Sequence, residues 1–294
     1  MKIKGILFVL LGAASYGVLA TIVKLSYHQG YDVSEVTFAQ FSVGFVVLWL
    51  LTLLTKKPVA NQDNKLSNRS QIYKLVFAGT SLGFTGLFYY SAVQTIDVSI
   101  CIVLLMQSVW MGVLLEAILE KKFPNTLKII AVIIVLIGTF FATGAINNFS
   151  TLDPRGLIWG ILGAFSYTVT LYTANRVGLG LSNAFRSAWM MTGAWIVVTI
   201  FALLKLQGDF QWSVFWPWGV YLALFGTIIP PIFLNKGFPL TGIGVGSILV
   251  SLEIPVSVVM AVWLLQEEVD LYQIAGIVLI LLGILVLNLR RINR

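Results

Sequence analysis

The sequence predicts an all-α membrane protein with ten transmembrane helices, arranged as two inverted five-helix repeats with both termini in the cytoplasm. Three observations lead to this fold class: an excess of apolar residues, ten long apolar runs, and a short segment that occurs twice. Hydrophobic residues make up 58% of the 294 residues and charged residues 11%, whereas a soluble domain carries about 25% charged residues. Because no single globular core can bury so much apolar surface, most of it must face lipid.

Each apolar run has about the 20 residues that a helix needs to cross the hydrocarbon core. In the first half of the chain the runs lie near 5–26, 36–54, 72–94, 97–118 and 126–146. In the second half they lie near 155–175, 184–205, 214–236, 242–264 and 271–289. A transmembrane barrel would need segments of about 10 alternating residues, and these runs are continuously apolar. The first run is expected to be a retained helix, because the remainder of the chain is equally apolar.

The positive charges predict the orientation of these spans. With the N-terminus inside, all 19 lysines and arginines except Lys24, Arg155 and Lys205 fall on the cytoplasmic side. This bias follows the positive-inside rule and predicts a multi-pass protein of the plasma membrane, the inner membrane of a bacterium. Since the net charge of +7 is distributed over short loops, we expect no nucleic-acid binding. The lone cysteine, Cys101, provides neither a disulfide framework nor a metal site.

An internal repeat divides the chain into residues 1–147 and 148–294. LGAASYGV (11–18) matches LGAFSYTV (162–169) at six of eight positions. FAGT (77–80) is followed by LFGT (224–227), and IIAVIIVLIGT (129–139) by IAGIVLILLGI (274–284), in the same order and at nearly the same offset. Five spans per repeat is an odd number, so the second repeat must enter the membrane inverted. Such repeats are typical of secondary transporters, whose sites lie near the midplane between the repeats.

The repeated segments resemble the drug/metabolite transporter superfamily, specifically its EamA-type ten-helix branch. The resemblance covers the whole chain and is carried by LGAASYGVLATIVK (11–24), LGAFSYTVTLYTANR (162–176) and the ends of the two repeats, 114–139 and 252–284. It implies an exporter of amino acids, nucleobases, other metabolites or drugs, which works by proton coupling or by exchange. The family often has proline in both copies of the fourth helix of the repeat. Here Pro255 has Ser108 in the equivalent place, which leaves open whether the two halves bend alike.

Glu253 is the strongest candidate for substrate binding or proton transfer. It lies about 10 residues into the ninth span, roughly 15 Å deep, and an ionisable residue at that depth is a functional candidate by default. A turn near Gly242–Gly244 would bring Lys236 within reach of it. The two can form a structural ion pair or hold the charges of a zwitterion, and Lys236 can instead snorkel to the interface. In the first repeat, Met106 and Tyr89 stand in the places of Glu253 and Lys236.

Three prolines predict helix breaks or gating points, namely Pro230, Pro231 and Pro255, with packing kinks as the alternative. The resemblance also implies a broader set of cavity residues: Tyr16, Tyr89, Tyr90, Gln94, Gln107, Trp110, Trp159, Tyr167, Tyr172 and Asn235. Tyr16 and Tyr167 stand out because they occupy the same place in both repeats, although tyrosine and tryptophan also collect at membrane interfaces. Glycine stripes are expected to be packing seams, and Glu116 and Glu120 are interpreted as interface anchors.

The sequence therefore predicts a secondary transporter that exports a small polar or amphipathic metabolite by alternating access. We expect a small-molecule substrate, a lipid bilayer, a monomer or homodimer, no cofactor or metal, and coupling to protons or a counter-substrate. The pattern GxxxxGK[ST] does not occur, so ATP is not the direct energy source. The lack of HExxH and of a Ser–His pair in the spans disfavours an enzyme. An accessory or lipid-translocating membrane subunit is the remaining alternative.

Overall fold

A computed structural model describes residues 3–54, 65–93, 95–96, 98–143, 153–205, 210–266 and 269–292, and all regular secondary structure in these ranges is helical. The helices of the first half are α1 Ile3–His28, α2 Val33–Leu54, α3 Lys65–Val93, α4 Val98–Leu105, α5 Ser108–Glu120 and α6 Thr126–Ala142. Those of the second half are α7 Pro154–Arg176, α8 Asn183–Lys205, α9 Trp218–Leu222, α10 Ile229–Thr241, α11 Ile243–Val250, α12 Glu253–Leu265 and α13 Leu271–Ile292. A 3₁₀ turn, Trp212–Phe215, precedes α9, and a π turn, Ala223–Ile228, joins α9 to α10.

The helices are those of a multi-pass membrane protein. Seven helical stretches are long and apolar enough to cross a membrane: Ile3–His28, Val33–Leu54, Ile100–Glu120, Pro154–Arg176, Asn183–Lys205, Trp218–Thr241 and Ile243–Leu265. Two shorter apolar helices are Thr126–Ala142 and Leu271–Val286. Large apolar side chains such as Phe77, 81% exposed, lie on the outer surface, as expected where the solvent is lipid. Every predicted span overlaps a helix, while the count of ten crossings and the orientation remain predictions.

Polar residues begin several of these helices. At α2, Asp32 Oδ1 accepts a 2.8 Å hydrogen bond from the Glu35 backbone N–H, and Glu35 Oε2 accepts one of 2.9 Å from the Asp32 N–H. Asp270 and Gln273 form the same reciprocal arrangement at α13. Such capping boxes satisfy backbone donors that the first turn leaves unpaired. They fix the residue at which each of these two helices starts.

The fourth and ninth apolar runs are both interrupted, and the interruptions correspond. Between α4 and α5, Gln107 N–H bonds to the Leu104 carbonyl; between α11 and α12, Leu252 N–H bonds to the Leu249 carbonyl. Gln107 and Leu252 have nearly the same backbone angles, −57°/−22° and −57°/−21°. The two helices also end alike, in left-handed residues Lys121 and Gln266.

The first repeat lacks the proline that the second repeat has at Pro255, yet its fourth helix is interrupted in the same way. The two halves therefore bend alike. Because the shared break places Gln107 opposite Leu252, the first-repeat counterpart of Glu253 is Ser108. The sequence matches had placed Met106 opposite Glu253 and Ser108 opposite Pro255, and both assignments were wrong by two residues, since apolar letters do not fix a register. The counterpart of Pro255 is Trp110.

Pro230 and Pro231 change the helix without ending it. They occupy the first turn of α10, directly after the π turn Ala223–Ile228. Neither proline has an N–H, so the carbonyls of Gly226 and Thr227 have no donor four residues on. The chain widens into a π turn there and then continues as α-helix. The predicted break is therefore a local widening.

The two halves of the chain pack mainly against each other. The most extensive helix pairs include α3 with α8, α6 with α13, and α1 with α10. Glycines allow these approaches, because a β-carbon on Gly79 would collide with the Met190 carbonyl oxygen, and one on Gly193 would collide with that of Val76. Close helix contacts through small residues replace the hydrophobic effect as the packing force in lipid. The core is thus an interface between the halves.

Candidate functional site

A cavity of about 260 Å³ lies between the two halves. It extends from the middle of the helices towards the end of the molecule where α1 ends and α2 begins, called here the α1–α2 end. Its lining comes from α1, α2, α3, α4, α6, the π turn, α7, α12 and α13. Apolar residues such as Phe41, Leu82 and Leu105 form much of the wall. A cavity with mostly apolar walls and a few polar groups is the usual form of a small-molecule site.

The inner end of this cavity, its floor, is built from Tyr16, Tyr167 and Glu253. The two tyrosine rings are edge-to-face, with centroids 6.1 Å apart. Gly17 brings α1 and α12 together, because a β-carbon there would lie 2.6 Å from the Glu253 carbonyl oxygen. The repeated segment of the sequence therefore contributes one tyrosine from each half to a shared floor.

Glu253 is the first residue of α12, directly after the helix break. Among the residues that the structure describes, it makes no hydrogen bond or ion pair through its carboxylate, and it is the only acidic residue of the cavity lining. A charge held away from bulk water without a partner is costly. A cation, a proton or a hydrogen-bond donor placed against this carboxylate would therefore lower its free energy.

A second group of tyrosines forms the side wall of the cavity. Tyr90 stacks edge-to-face with Tyr27 and Tyr89, at 6.5 and 5.8 Å between centroids. The Tyr90 hydroxyl donates a 3.1 Å hydrogen bond to Gln40 Oε1. The hydroxyls of Tyr27 and Tyr167 are buried and have no hydrogen-bond partner within the described ranges. Two residues of the lining therefore carry a buried hydroxyl that no described protein group satisfies.

Lys236 and Glu253 do not meet. The Lys236 ammonium lies 5.7 Å from the ring centroids of both Phe8 and Phe233, and Lys236 is not part of the cavity lining. The helical hairpin expected from the sequence exists, but Lys236 turns towards the rings on α1 and on its own helix. Cation–π contacts of this kind stabilise an ammonium within about 6 Å of a ring.

The remaining residues expected from the sequence lie outside the cavity lining. Trp110, 38% exposed, donates to Gln107 Oε1 at 2.9 Å on the surface of α5. Asn235 is buried and donates to Ser187 at 2.8 Å. The others are Tyr172, which is half-buried, and Trp159, which stacks on Phe88. Pro230, Pro231 and Pro255 are buried and are not part of the lining. Pro255 lies in α12, which contributes to the lining, whereas Pro230 and Pro231 follow the lining residues Gly226 and Thr227 of the π turn. Gln94 lies outside the described residues.

Arg186 closes the opposite end of the molecule, where α7 ends and α8 begins, called here the α7–α8 end. It is 1% exposed and donates to the carbonyl oxygens of Val177 at 2.9 Å, Ala174 at 2.7 Å and Asn235 at 2.9 Å. The orphan carbonyls at the end of α7 are thereby satisfied, and their dipole favours a cation. One side chain thus ties α7, α8 and α10 together.

Arg186 was counted among the charges of the cytoplasmic side, and the structure buries it in the first turn of α8. The available signal was its position, because it falls inside the predicted span 184–205. Glu116, interpreted as an interface anchor, is also buried, at 7% exposure. It pairs with Lys128 and lies against the backbone of Gly242 and Gly244 at the start of α11. A buried carboxylate needs such a counter-charge and helix N-terminus.

These features define a class: an integral membrane protein of two interleaved helical halves, with a central cavity that is closed towards the α7–α8 end. The sequence profile of the EamA-like transporter family matches residues 3–144 and again residues 154–289. The chain belongs to this family and is a membrane transporter.

Two further comparisons agree with this membership. The uncharacterized transporter YxxF of Bacillus subtilis (strain 168) is 25% identical over 245 residues, which is 78% of this chain and 74% of that protein. One solved crystal structure superposes with a TM-score of 0.80 over 97% of this chain and 98% of its own, at 16% identity. At that identity the likeness concerns the fold alone.

Proposed function

We propose that this protein is a secondary transporter that exports a small polar or amphipathic metabolite, an amino acid or related compound, by alternating access. The observation that supports this most is the placement of the cavity floor between the two halves. Tyr16 and Tyr167, equivalent residues of the two repeats, meet there beside Glu253. Transporters with inverted repeats bind substrate at this kind of position.

The proposal includes ten membrane crossings, repeats at 1–147 and 148–294, and both termini in the cytoplasm. In that orientation the α1–α2 end faces outward and the α7–α8 end faces the cytoplasm. The present conformation is then open to the outside and closed inside by the Arg186 contacts. Export requires a second conformation, in which the α7–α8 end separates and the α1–α2 end closes over the floor. The membrane is the plasma membrane, and the protein acts as a monomer or homodimer.

Within this proposal the residues have different roles. Glu253, Tyr16, Tyr167 and Tyr89 bind the substrate, because they line the cavity. Asn235 belongs to the inner gate, since its carbonyl accepts from Arg186. Pro230, Pro231 and Pro255 supply the points at which α10 and α12 flex. Coupling is to protons or to a counter-substrate, and Glu253 is the residue that takes up the proton.

The test is gradient-driven uptake into proteoliposomes, using a panel of amino acids, nucleobases and quaternary amines. Wild-type protein should accumulate at least one member of the panel, and Glu253→Gln should abolish that accumulation because the carboxylate can no longer exchange charge. Glu120→Gln, at an exposed acidic residue on α5, is the matched control and should transport normally. Uptake by Glu253→Gln at the wild-type rate would contradict the assignment of this residue.

A further inference from the structure

The cavity floor also indicates what kind of substrate it accepts. We propose that the site takes an organic ammonium ion with a flat apolar body, its cationic group against Glu253 and its body along the tyrosines. This inference rests on the proposed transport function and narrows the substrate of that same site from amino acids and related compounds to amines without a carboxylate. It starts from a charge imbalance, because Glu253 is the only acidic residue in the described lining and has no cation against it in the described parts of the chain.

The aromatic residues favour the same chemistry. Tyr16, Tyr27, Tyr89, Tyr90 and Tyr167 all line the cavity, and their edge-to-face packing keeps the rings in fixed orientations. Aromatic faces attract cations through the ring quadrupole, which is how aromatic cages recognise ammonium groups. They also supply apolar surface for a flat ligand body.

Two unpaired hydroxyls provide an independent indication of a ligand. Tyr167 is 3% exposed, lines the floor beside Glu253, and has no hydrogen-bond partner for its hydroxyl among the described residues. Tyr27, in the side wall, has a buried hydroxyl in the same condition. Buried polar atoms are normally paired. A primary ammonium group has three N–H donors, so one such ligand can donate to the Glu253 carboxylate and to the Tyr167 hydroxyl oxygen at once.

Other ligand charges fit the floor less well. An anion would add a second negative charge beside Glu253. A zwitterionic amino acid needs a cationic partner for its carboxylate close to its ammonium group. The basic residue of the described lining is Lys24, which lies eight residues beyond Tyr16 on α1, about 12 Å along the helix. The two backbone positions are thus further apart than the two charges of an α-amino acid.

Matched probes that differ in charge test this directly. Phenethylamine, 2-phenylethanol, phenylacetate and phenylalanine share a ring and differ in the group at its end. We expect phenethylamine to bind purified protein, measured by titration calorimetry, and the alcohol and phenylacetate to bind at least about tenfold more weakly. Glu253→Gln should weaken phenethylamine binding about 10- to 100-fold, and Glu120→Gln should leave it unchanged.

Tyr167→Phe separates ligand binding from folding. Its hydroxyl has no partner in the described residues, so its removal should not lower the melting temperature of the ligand-free protein. It should weaken phenethylamine binding about 2- to 10-fold. This variant keeps the test valid if Glu253→Gln does not fold.

The outcomes distinguish the two proposals. Equal binding of the alcohol and the amine, tighter binding of phenylalanine or phenylacetate, or full affinity in both variants overturns the ammonium assignment. If the panel is still transported in that case, the transporter proposal stands without it. If no member of the panel is transported, the transporter proposal itself fails.

Discussion

Glu253 and Arg186 are both charges within apolar helices, and the protein treats them in opposite ways. Arg186 is satisfied by backbone carbonyls of α7 and α10, whereas the Glu253 carboxylate faces a cavity. A satisfied charge holds structure together, and an unsatisfied one is available for binding. The same cost of burial therefore applies to a charge that ties helices together at one end and to a charge that faces the cavity at the centre.

Arg186→Lys should destabilise the protein although it keeps the charge. The guanidinium reaches several carbonyls with its fixed fork of donors, and a lysine ammonium cannot span them. Each carbonyl left unpaired costs about 1–3 kcal/mol, so the melting temperature of the purified protein should fall. Arg155→Lys, at an exposed residue in the first turn of α7, is the control. Equal melting temperatures for the two variants would show that the network contributes nothing.

At the residue scale, the structure places Glu253, Tyr16 and Tyr167 in the lining of one cavity, and their role in substrate binding stays a prediction. Glu253 was singled out because a carboxylate deep in an apolar run is costly wherever it points. Tyr16 and Tyr167 were singled out because the repeat marks them. The position of Lys236 was not predictable, since the direction of a long side chain depends on the rings of Phe8 and Phe233 around it.

At the scale of helices, apolar length predicted each helix, and its interruptions were mostly missed. The break at Gln107 has no proline or glycine to signal it, because packing against α11 and α7 sets the local geometry there. The π turn had a signal in Pro230 and Pro231, but proline alone does not distinguish a break from a widening. Hydropathy measures the environment of a segment and is insensitive to which carbonyls are paired.

The π turn provides the prediction at this scale. In the double variant Pro230→Ala with Pro231→Ala, two N–H donors return and the carbonyls of Gly226 and Thr227 regain α-helical partners. Gly226 and Thr227 line the cavity. Straightening the π turn should therefore reshape the cavity and lower the transport rate about tenfold or more. Pro239→Ala, at an exposed proline inside α10, is the control and should transport normally. A double variant that transports like the control would separate the π turn from function.

At the scale of the whole molecule, the repeat predicts that two related halves share one centre, but it does not predict which end of the central cavity is closed. The duplicated segments indicate that two related halves share one centre, and the profile of the family matches each half separately. Which end of the cavity is closed is a property of one conformation, and a sequence that encodes two conformations of similar energy does not favour either. The closed α7–α8 end was therefore visible only in the structure.

The central claim is that one cavity becomes accessible from both sides of the membrane in turn. Ser257 lines the cavity, and the sole cysteine, Cys101, is buried and can be replaced by serine. In that background, Ser257→Cys should react with a membrane-impermeant maleimide applied to intact cells, because the α1–α2 end is proposed to face outward. In inverted vesicles the same cysteine should also react, more slowly, when the reagent is on the cytoplasmic side. Reaction from one side only, with and without a substrate gradient, would contradict alternating access.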